Sequence, residues 1–308
     1  MKTAAILANW FHQKGWRTLV IAVPFFWLVC FFLLPFLIVT AMSFARRETA
    51  APPIGFPDVW PYLYFSNYQR LFSEYVYLRS YLVSLWNAAV ATVFCLLIGY
   101  PMALAMTRAN KSWQRLLLML VILPFWTSFL LRVYAWIGLM GSNSWFNKLL
   151  SAVYNLLVPA EWAIRSVPMM NTNFAVVLVL VYSYLPFMIL PLYANLERLD
   201  FTLNEAALDL GSRPAQVFRD ITLPQSIPGI VAGVLLVFIP ASGELIIPSL
   251  VGNASDPMIG RVISDEFASA RDWPMASTVA VALLLLLVGP TMLYNVFESK
   301  AQGSGAAK

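Results

Sequence analysis

The chain has 308 residues, of which 60% are hydrophobic and 11% charged, with a mean hydropathy of +0.72. A soluble domain carries about 25% charged residues, so this composition excludes a water-soluble globule and makes lipid the solvent. The formal net charge of +5 comes without poly-basic runs or nucleic-acid motifs, which excludes a nucleic-acid binder and reports instead where Lys and Arg flank the membrane.

Residues 1–18 hold Lys2, Lys14 and Arg17 and no acid. The apolar run behind them is too long for the core of a cleavable signal and has no small-residue cleavage site after it, so a retained first span is expected. Ile6, Leu7, Trp10 and Phe11 among polar neighbours predict an interfacial helix ahead of that span. A membrane-crossing helix needs roughly 20 apolar residues. Six segments supply them, at about 19–42, 82–106, 116–140, 174–196, 227–251 and 275–297. The expected architecture is all-α: one polytopic transmembrane domain over residues 19–297 with a tail at 298–308, its Gln302–Lys308 end disordered. The fifth span is irregular, because Pro240, Gly243 and Pro248 interrupt it and Glu244 sits inside it.

Cys30 and Cys95 lie in apolar runs and read as small packing residues. With His12 the sole histidine and no CxxC pair, metal chemistry and Cys–His catalysis are excluded. Basic residues in short loops set the orientation. Arg108, Lys111 and Arg115 lie between spans two and three without an acid, as Lys2, Lys14 and Arg17 do before span one. Both segments are therefore expected in the cytoplasm, with both termini inside. Residues 43–79, rich in Pro (Pro52, Pro53, Pro57, Pro61) and aromatics (Trp60, Tyr62, Tyr64, Phe65), are expected along the outer interface, and 141–172 resemble them. Residues 252–274 set Asp256, Asp265, Glu266 and Asp272 against Arg261 and Arg271, a net acidic outer loop.

The segment 198–224, between spans four and five, is too long to be a mere turn. Asn204 is placed to N-cap a helix, Glu205 suits its first turn, and Ala206, Ala207, Leu208 and Leu210 offer a small apolar surface. Gly211 supplies a left-handed stop, and Pro214 and Pro224 bracket a second short stretch. A helix–turn–helix across the inner membrane face is predicted; an ordinary interfacial turn is the other reading.

Glu205-Ala206-Ala207, three residues, Gly211, nine residues, then Ile221-Thr222-Leu223-Pro224 resembles the EAA loop of permease subunits of bacterial ABC importers. Within that family, Leu123–Trp136, Phe238–Glu244, Met258–Ile263 and Arg271–Pro274 are similar to spermidine/putrescine-type permeases, of the first-permease kind found in putrescine importers. The resemblance implies the type I importer permease fold in a bacterial inner membrane. It implies that Glu205, Ala206, Ala207, Gly211, Ile221, Leu223 and Pro224 form a coupling helix and its flank. Implied partners are a second, related permease, two ATP-binding subunits that hold ATP and Mg, and a periplasmic polyamine-binding protein. No cofactor is expected in this chain, which lacks a G-x-x-x-x-G-K-[ST] phosphate loop and is expected not to be an enzyme. An ion-gradient transporter and a non-transporting scaffold are rival readings. The first leaves the 198–224 segment unexplained, and the second leaves Glu244 unexplained.

A polyamine needs carboxylates for its ammonium groups and aromatic faces for its charges and methylenes. Glu244 is the leading pathway candidate, since an ionisable residue at membrane depth faces a cavity or a partner. Pairing with Arg132, which ties span three to span five, is the alternative. Trp126, Tyr134, Trp136, Tyr182 and Tyr184 either line a cation path or pack; Asp265, Glu266 and Asp272 either attract a cation or form a solvated loop. Gly229 and Gly233 make a small-xxx-small pair suited to close helix packing.

Overall fold

A computed structural model describes residues 20–49, 52–55, 64–159, 162 and 164–305. The expected interfacial helix before span one, and Pro57, Trp60, Pro61 and Tyr62, lie outside the described residues. The chain divides into two compact units, one from the described parts of Met1–Ser73 and Asp265–Lys308, the other from Glu74–Ser264.

The first unit opens with α1 (Val20–Ser43), whose apolar side chains are almost all exposed, as lipid-facing residues are. A π-helical turn, Val29–Leu33, precedes Pro35. Proline has no N–H to give back along the helix, and the wider turn absorbs that lost bond without a break. After α1 the chain forms a two-stranded antiparallel hairpin, β1 (Arg46–Arg47) with β2 (Ile54–Gly55), then α2 (Ser66–Ser73). The hairpin qualifies the all-α expectation; its two-residue strands carry no alternating pattern for sequence reading to find.

Buried Ser43 is the knot of this unit. Its carbonyl accepts from Asn67 Nδ2 at 3.0 Å and from Thr278 Oγ1 at 3.0 Å, and its hydroxyl meets that of Tyr68 at 2.8 Å. A π-helical turn, Asp265–Ser269, leads into the long closing helix, Trp273–Gly305. Gln302–Gly305 are its last turn, so the expected disorder of Gln302–Lys308 is corrected for those residues. Glu298, Lys300, Ala301 and Gln302 are sound helix formers, and an established helix extends through them at little cost.

The second unit is built on three long helices: α3 (Tyr75–Arg108), α7 (Asn173–Leu196) and α9 (Pro214–Ser242). Between them run α4 (Lys111–Ile122), a 3-10 turn (Leu123–Trp126), α5 (Phe129–Met140), α6 (Trp145–Leu157) and α8 (Thr202–Asp209). The short α10 (Ile246–Val251) and α11 (Ile259–Ser264) follow α9. Close approach rests on glycine. A Cβ on Gly229 would fall 2.7 Å from Asn195 Cβ, and one on Gly233 would fall 2.6 Å from Met188 Sδ. The Gly229/Gly233 pair thus seats α9 on α7 within this chain. The core beneath gathers Cys95, Met188, Ile189, Leu192, Leu196 and Val237. Asn147, fully buried, ties the α5–α6 corner by donating to the carbonyls of Met140 and Val167 and accepting from Val167 N at 2.8 Å.

Among the described residues four helices are long and apolar enough to cross a membrane, with one bent pair and one shorter apolar stretch, Trp273–Gly289. The bent pair corrects the expected continuous span at 116–140. Its two halves, Lys111–Trp126 and Phe129–Met140, meet at 90°. Hydropathy measures only that a stretch is apolar, whereas Pro124 and the extended Thr127 and Ser128 end one helix and start another. The fifth expected span is shortened for a related reason: α9 stops at Ser242, Gly243 caps it, and α10 resumes at Ile246.

Candidate functional site

The connection between α7 and α9 is a site in the literal sense of an exposed, ordered surface. After α7 ends, Thr202 donates its backbone N–H to Asp200 Oδ1 at 3.0 Å, which starts α8. The Thr202 hydroxyl and N–H together hold the exposed Asp200 carboxyl below the usual carboxylate range. The expected N-cap, Asn204, is corrected, since it lies inside α8 and its Nδ2 donates to Thr222 Oγ1 at 3.1 Å. The N-cap position is Phe201, which makes no side-chain cap bond; Asp200 bonds the first helical N–H locally, and Asn204 binds the returning chain. Glu205 lies in the first turn of α8, exposed beside Ala206. Gly211 has φ +87°, the left-handed stop, and the N–H of Ser212 reaches back to the carbonyl of Ala207 at 3.1 Å.

The second arm is not a separate helix. From Pro214 it runs unbroken into α9, which corrects the expectation that Pro224 closes a short stretch. A π-helical turn, Phe218–Thr222, stands ahead of Leu223-Pro224 as Val29–Leu33 stands ahead of Leu34-Pro35, and takes up the missing N–H in the same way. Ile221 and Leu223 are half-buried on this turn and Pro224 is exposed. The arm is pinned to α3 by Tyr100, whose ring meets Phe218 edge-on at 5.7 Å and whose hydroxyl sits 3.0 Å from Ser226 Oγ. Leu203, Leu208 and Leu210 remain exposed, Leu210 at 87%. α8 is thus a short, exposed handle carrying bare leucines, joined at both ends to the long apolar helices α7 and α9.

The second part of the site is the break after α9. Glu244 follows Gly243 in the gap, and its two carboxylate oxygens are both engaged. Oε2 accepts from the Tyr184 hydroxyl at 2.6 Å, and Oε1 accepts from the backbone N–H of Ile246 at 3.0 Å. Among the described residues no ion pair joins Glu244 to Arg132, so the geometry places Glu244 with α7 rather than with α5. The gap is held by α11, where Gly260 lies against the carbonyls of Gly243 and Glu244 and Ile259 N donates to Ser84 Oγ at 2.6 Å.

Beside Tyr184 opens a cleft of about 580 Å³, lined by Phe125, Phe129, Arg132, Phe187, Leu236 and Pro240 among others. Sequence reading found Tyr184 and Glu244 but not the three phenylalanines: Phe125 and Phe129 flank the 90° bend, Phe187 comes from α7, and in an apolar run none of them differs from a lipid-facing residue. Trp136 and Tyr182 form an edge-on pair at 5.5 Å. Trp126 and Tyr134 are exposed, Trp126 at 79%, and the structure does not bring either into the cleft lining. Asp265 and Glu266 belong to the first unit, in the π turn before its closing helix. Asp272, also weighed as a cation-attracting residue, is 5% exposed and structural. It pairs with Arg70 at 3.0 Å and Arg47 at 3.9 Å and caps the N–H of Met275. Asp256 is likewise paired, with Arg79.

The exposed α8 between two long apolar helices and the carboxylate at a helix break belong to a chain built of candidate membrane spans. Comparisons with known proteins agree. Residues 3–302 match the family described as "Binding-protein-dependent transport system inner membrane component". The spermidine/putrescine transport system permease protein PotB of Haemophilus influenzae is 39% identical over 275 residues, 89% of this chain and 91% of that protein. PotB of Escherichia coli is 37% identical over 261 residues, 85% and 90% of the two chains. A bacterial alginate ABC transporter, solved in complex with its periplasmic protein, has the same fold, with a TM-score of 0.68 at 15% identity over 94% of this chain and 96% of that one. With the match running almost end to end, this chain is a member of the inner-membrane permease family of binding-protein-dependent transport systems.

Proposed function

We propose that this chain is one of two permease subunits of an ATP-driven importer of polyamines, putrescine or spermidine. Two relatives at 37–39% identity carry that substrate class in their names. The observation that carries the reading is the Glu244 carboxylate, held at a break in α9 by Tyr184. A polycation crossing a low-dielectric region needs a fixed anion on its path, and a carboxylate at this depth is costly unless it serves one. The Tyr184 bond keeps Glu244 satisfied while empty, and an arriving ammonium shares the same oxygens.

In this reading the α8 handle faces the cytoplasm, as do both termini, because the basic loops flank the same side. Glu205, Ala206, Ala207 and Gly211 seat in an ATP-binding subunit, of which two copies hold ATP and Mg. Ile221, Leu223 and Pro224 transmit the motion into α9. ATP-driven closure of those subunits biases the two permeases between inward- and outward-facing states. A periplasmic binding protein delivers the polyamine, with Asp265 and Glu266 near its landing side.

The test is reconstitution of the complete importer in proteoliposomes with the binding protein. ATP-dependent accumulation of labelled putrescine or spermidine is expected. ATPase stimulation by another substrate class, with neither polyamine transported, would overturn the substrate assignment.

A further inference from the structure

We infer that the cleft around Arg132 is the seat of an intramembrane carboxylate supplied by the second permease subunit. This rests on the proposed pairing of two permeases. The observation is a guanidinium left without a mate. Arg132 Nε and Nη1 are buried and have no hydrogen-bond partner, and Ser183 Oγ, in the same cleft, has none either. The guanidinium carbon lies 5.5 Å from the Phe129 ring centre and 6.0 Å from that of Phe125. Those faces ease the charge but accept no N–H bond. The chain's own nearby acid is spoken for, since Glu244 has one oxygen on Tyr184 and the other on Ile246 N.

Depth chooses the class of occupant. Ser183 and Tyr184 lie midway along the 24-residue α7, and Leu235, Leu236 and Ile239 lie in the last two turns of α9, against the helix break at Gly243. A lipid phosphate belongs at the interface, some 15 Å from the middle of a hydrocarbon core about 30 Å thick. Charged side chains at mid-depth pair with one another. An Asp or Glu on an apolar helix fits the remaining lining, which is aromatic and aliphatic. A carboxylate accepts from the unmatched guanidinium N–H groups, and Ser183 supplies a further hydroxyl donor. Such a pair fixes which helix sits on the cleft and in what register, since a neutral or basic residue there leaves the guanidinium buried and unmatched.

The test uses the assembled importer, purified through a tag on its ATP-binding subunit. Arg132→Glu is expected to lower the second permease recovered with this chain by about tenfold or more, because like charges face each other in a dry seat, while Arg132→Lys keeps most of it. Substitutions that restore assembly to Arg132→Glu are expected to turn an intramembrane Asp or Glu of the second permease into Lys, Arg or a neutral residue. A second measurement does not depend on how well the charge variant folds. Leu236→Cys, in the cleft wall, is expected to cross-link to a helix of the second permease, with Cys30 and Cys95 of the parent chain as background. Full assembly of Arg132→Glu, restoring changes confined to this chain, absent Leu236→Cys cross-links, or loss of a bound anionic lipid from Arg132→Leu with pairing intact would each overturn the site. A wild-type complex without any second permease would overturn the pairing itself, and the site with it.

Discussion

Gly260→Ala is the sharpest probe of the helix break that carries Glu244. A Cβ at Gly260 would lie 2.5 Å from the Gly243 carbonyl oxygen and 2.6 Å from that of Glu244. Tolerable Cβ contacts begin at 3.0–3.4 Å, so the two backbones must part by about 0.5–0.9 Å. The opposing atoms are main chain and have no rotamer to change, and overpacking of this kind costs about 1–3 kcal/mol. Ile259 holds α11 to Ser84 on α3, so the element that yields is the gap. Moving Glu244 by that amount stretches its 2.6 Å bond from Tyr184 to about 3.1 Å or more, past the usual O–H···O range. A hydrogen bond to a charged group is worth about 1.5–3 kcal/mol, and 1.4 kcal/mol is tenfold in rate. Polyamine uptake by the reconstituted importer is therefore expected to fall about tenfold with Gly260→Ala, while insertion and the amount of assembled complex stay near wild type. Unchanged uptake, with an unchanged melting temperature of the complex, would refute the claim that this contact positions Glu244.

Gly211 tests a different physics, since a Cβ there meets nothing within 4 Å and the penalty is the positive φ alone. Gly211→Val is expected to uncouple ATP hydrolysis from uptake, whereas Gly211→Asn, which tolerates this backbone, retains most coupling; equal behaviour of the two variants counts against the left-handed stop as the cause. Glu244→Gln keeps the shape and removes the charge, so uptake should drop by more than assembly does. Tyr184→Phe should weaken uptake less than Glu244→Gln, because the carboxylate remains; assembly failing before transport in Glu244→Gln would mark the residue as structural. Asp272→Ala removes a helix cap and the mate of Arg70 and Arg47, and a loss of about 2 kcal/mol is expected as a lower melting temperature in detergent, with ATPase coupling kept in the complex that survives.

What was legible in the sequence follows from how local its cause is. Gly211 stops α8 because a left-handed residue is needed within a few positions, and only short-range chemistry decides that. Gly229 and Gly233 announced close packing but not the partner, since Asn195 and Met188 lie in another helix. Pro224 misled because a proline's effect depends on the hydrogen-bond slack upstream, and the π turn at Phe218–Thr222 is visible only in coordinates. Asn204 misled because α8 starts a turn earlier, at Thr202, with Asp200 bonding its first N–H. The bend at Leu123–Ser128 hid inside a run apolar enough on average to pass as one span, although Pro124, Thr127 and Ser128 mark its place. The bond from Tyr184 to Glu244 spans 60 positions, and no periodicity encodes it. The coupling segment was read as a motif, and the structure supplied its exposed leucines and its anchor at Tyr100.

The central claim is that force from a soluble ATP-binding subunit enters this chain through α8. The direct measurement is site-specific cross-linking in intact cells from a cysteine or photoreactive residue placed at Ala206, which is exposed on that helix. Capture of the ATP-binding subunit, with a yield that changes when ATP hydrolysis is arrested, is the expected result. Absence of any nucleotide-hydrolysing protein from the cross-linked products, or labelling of Ala206→Cys by an impermeant thiol reagent added outside the inner membrane, would contradict it.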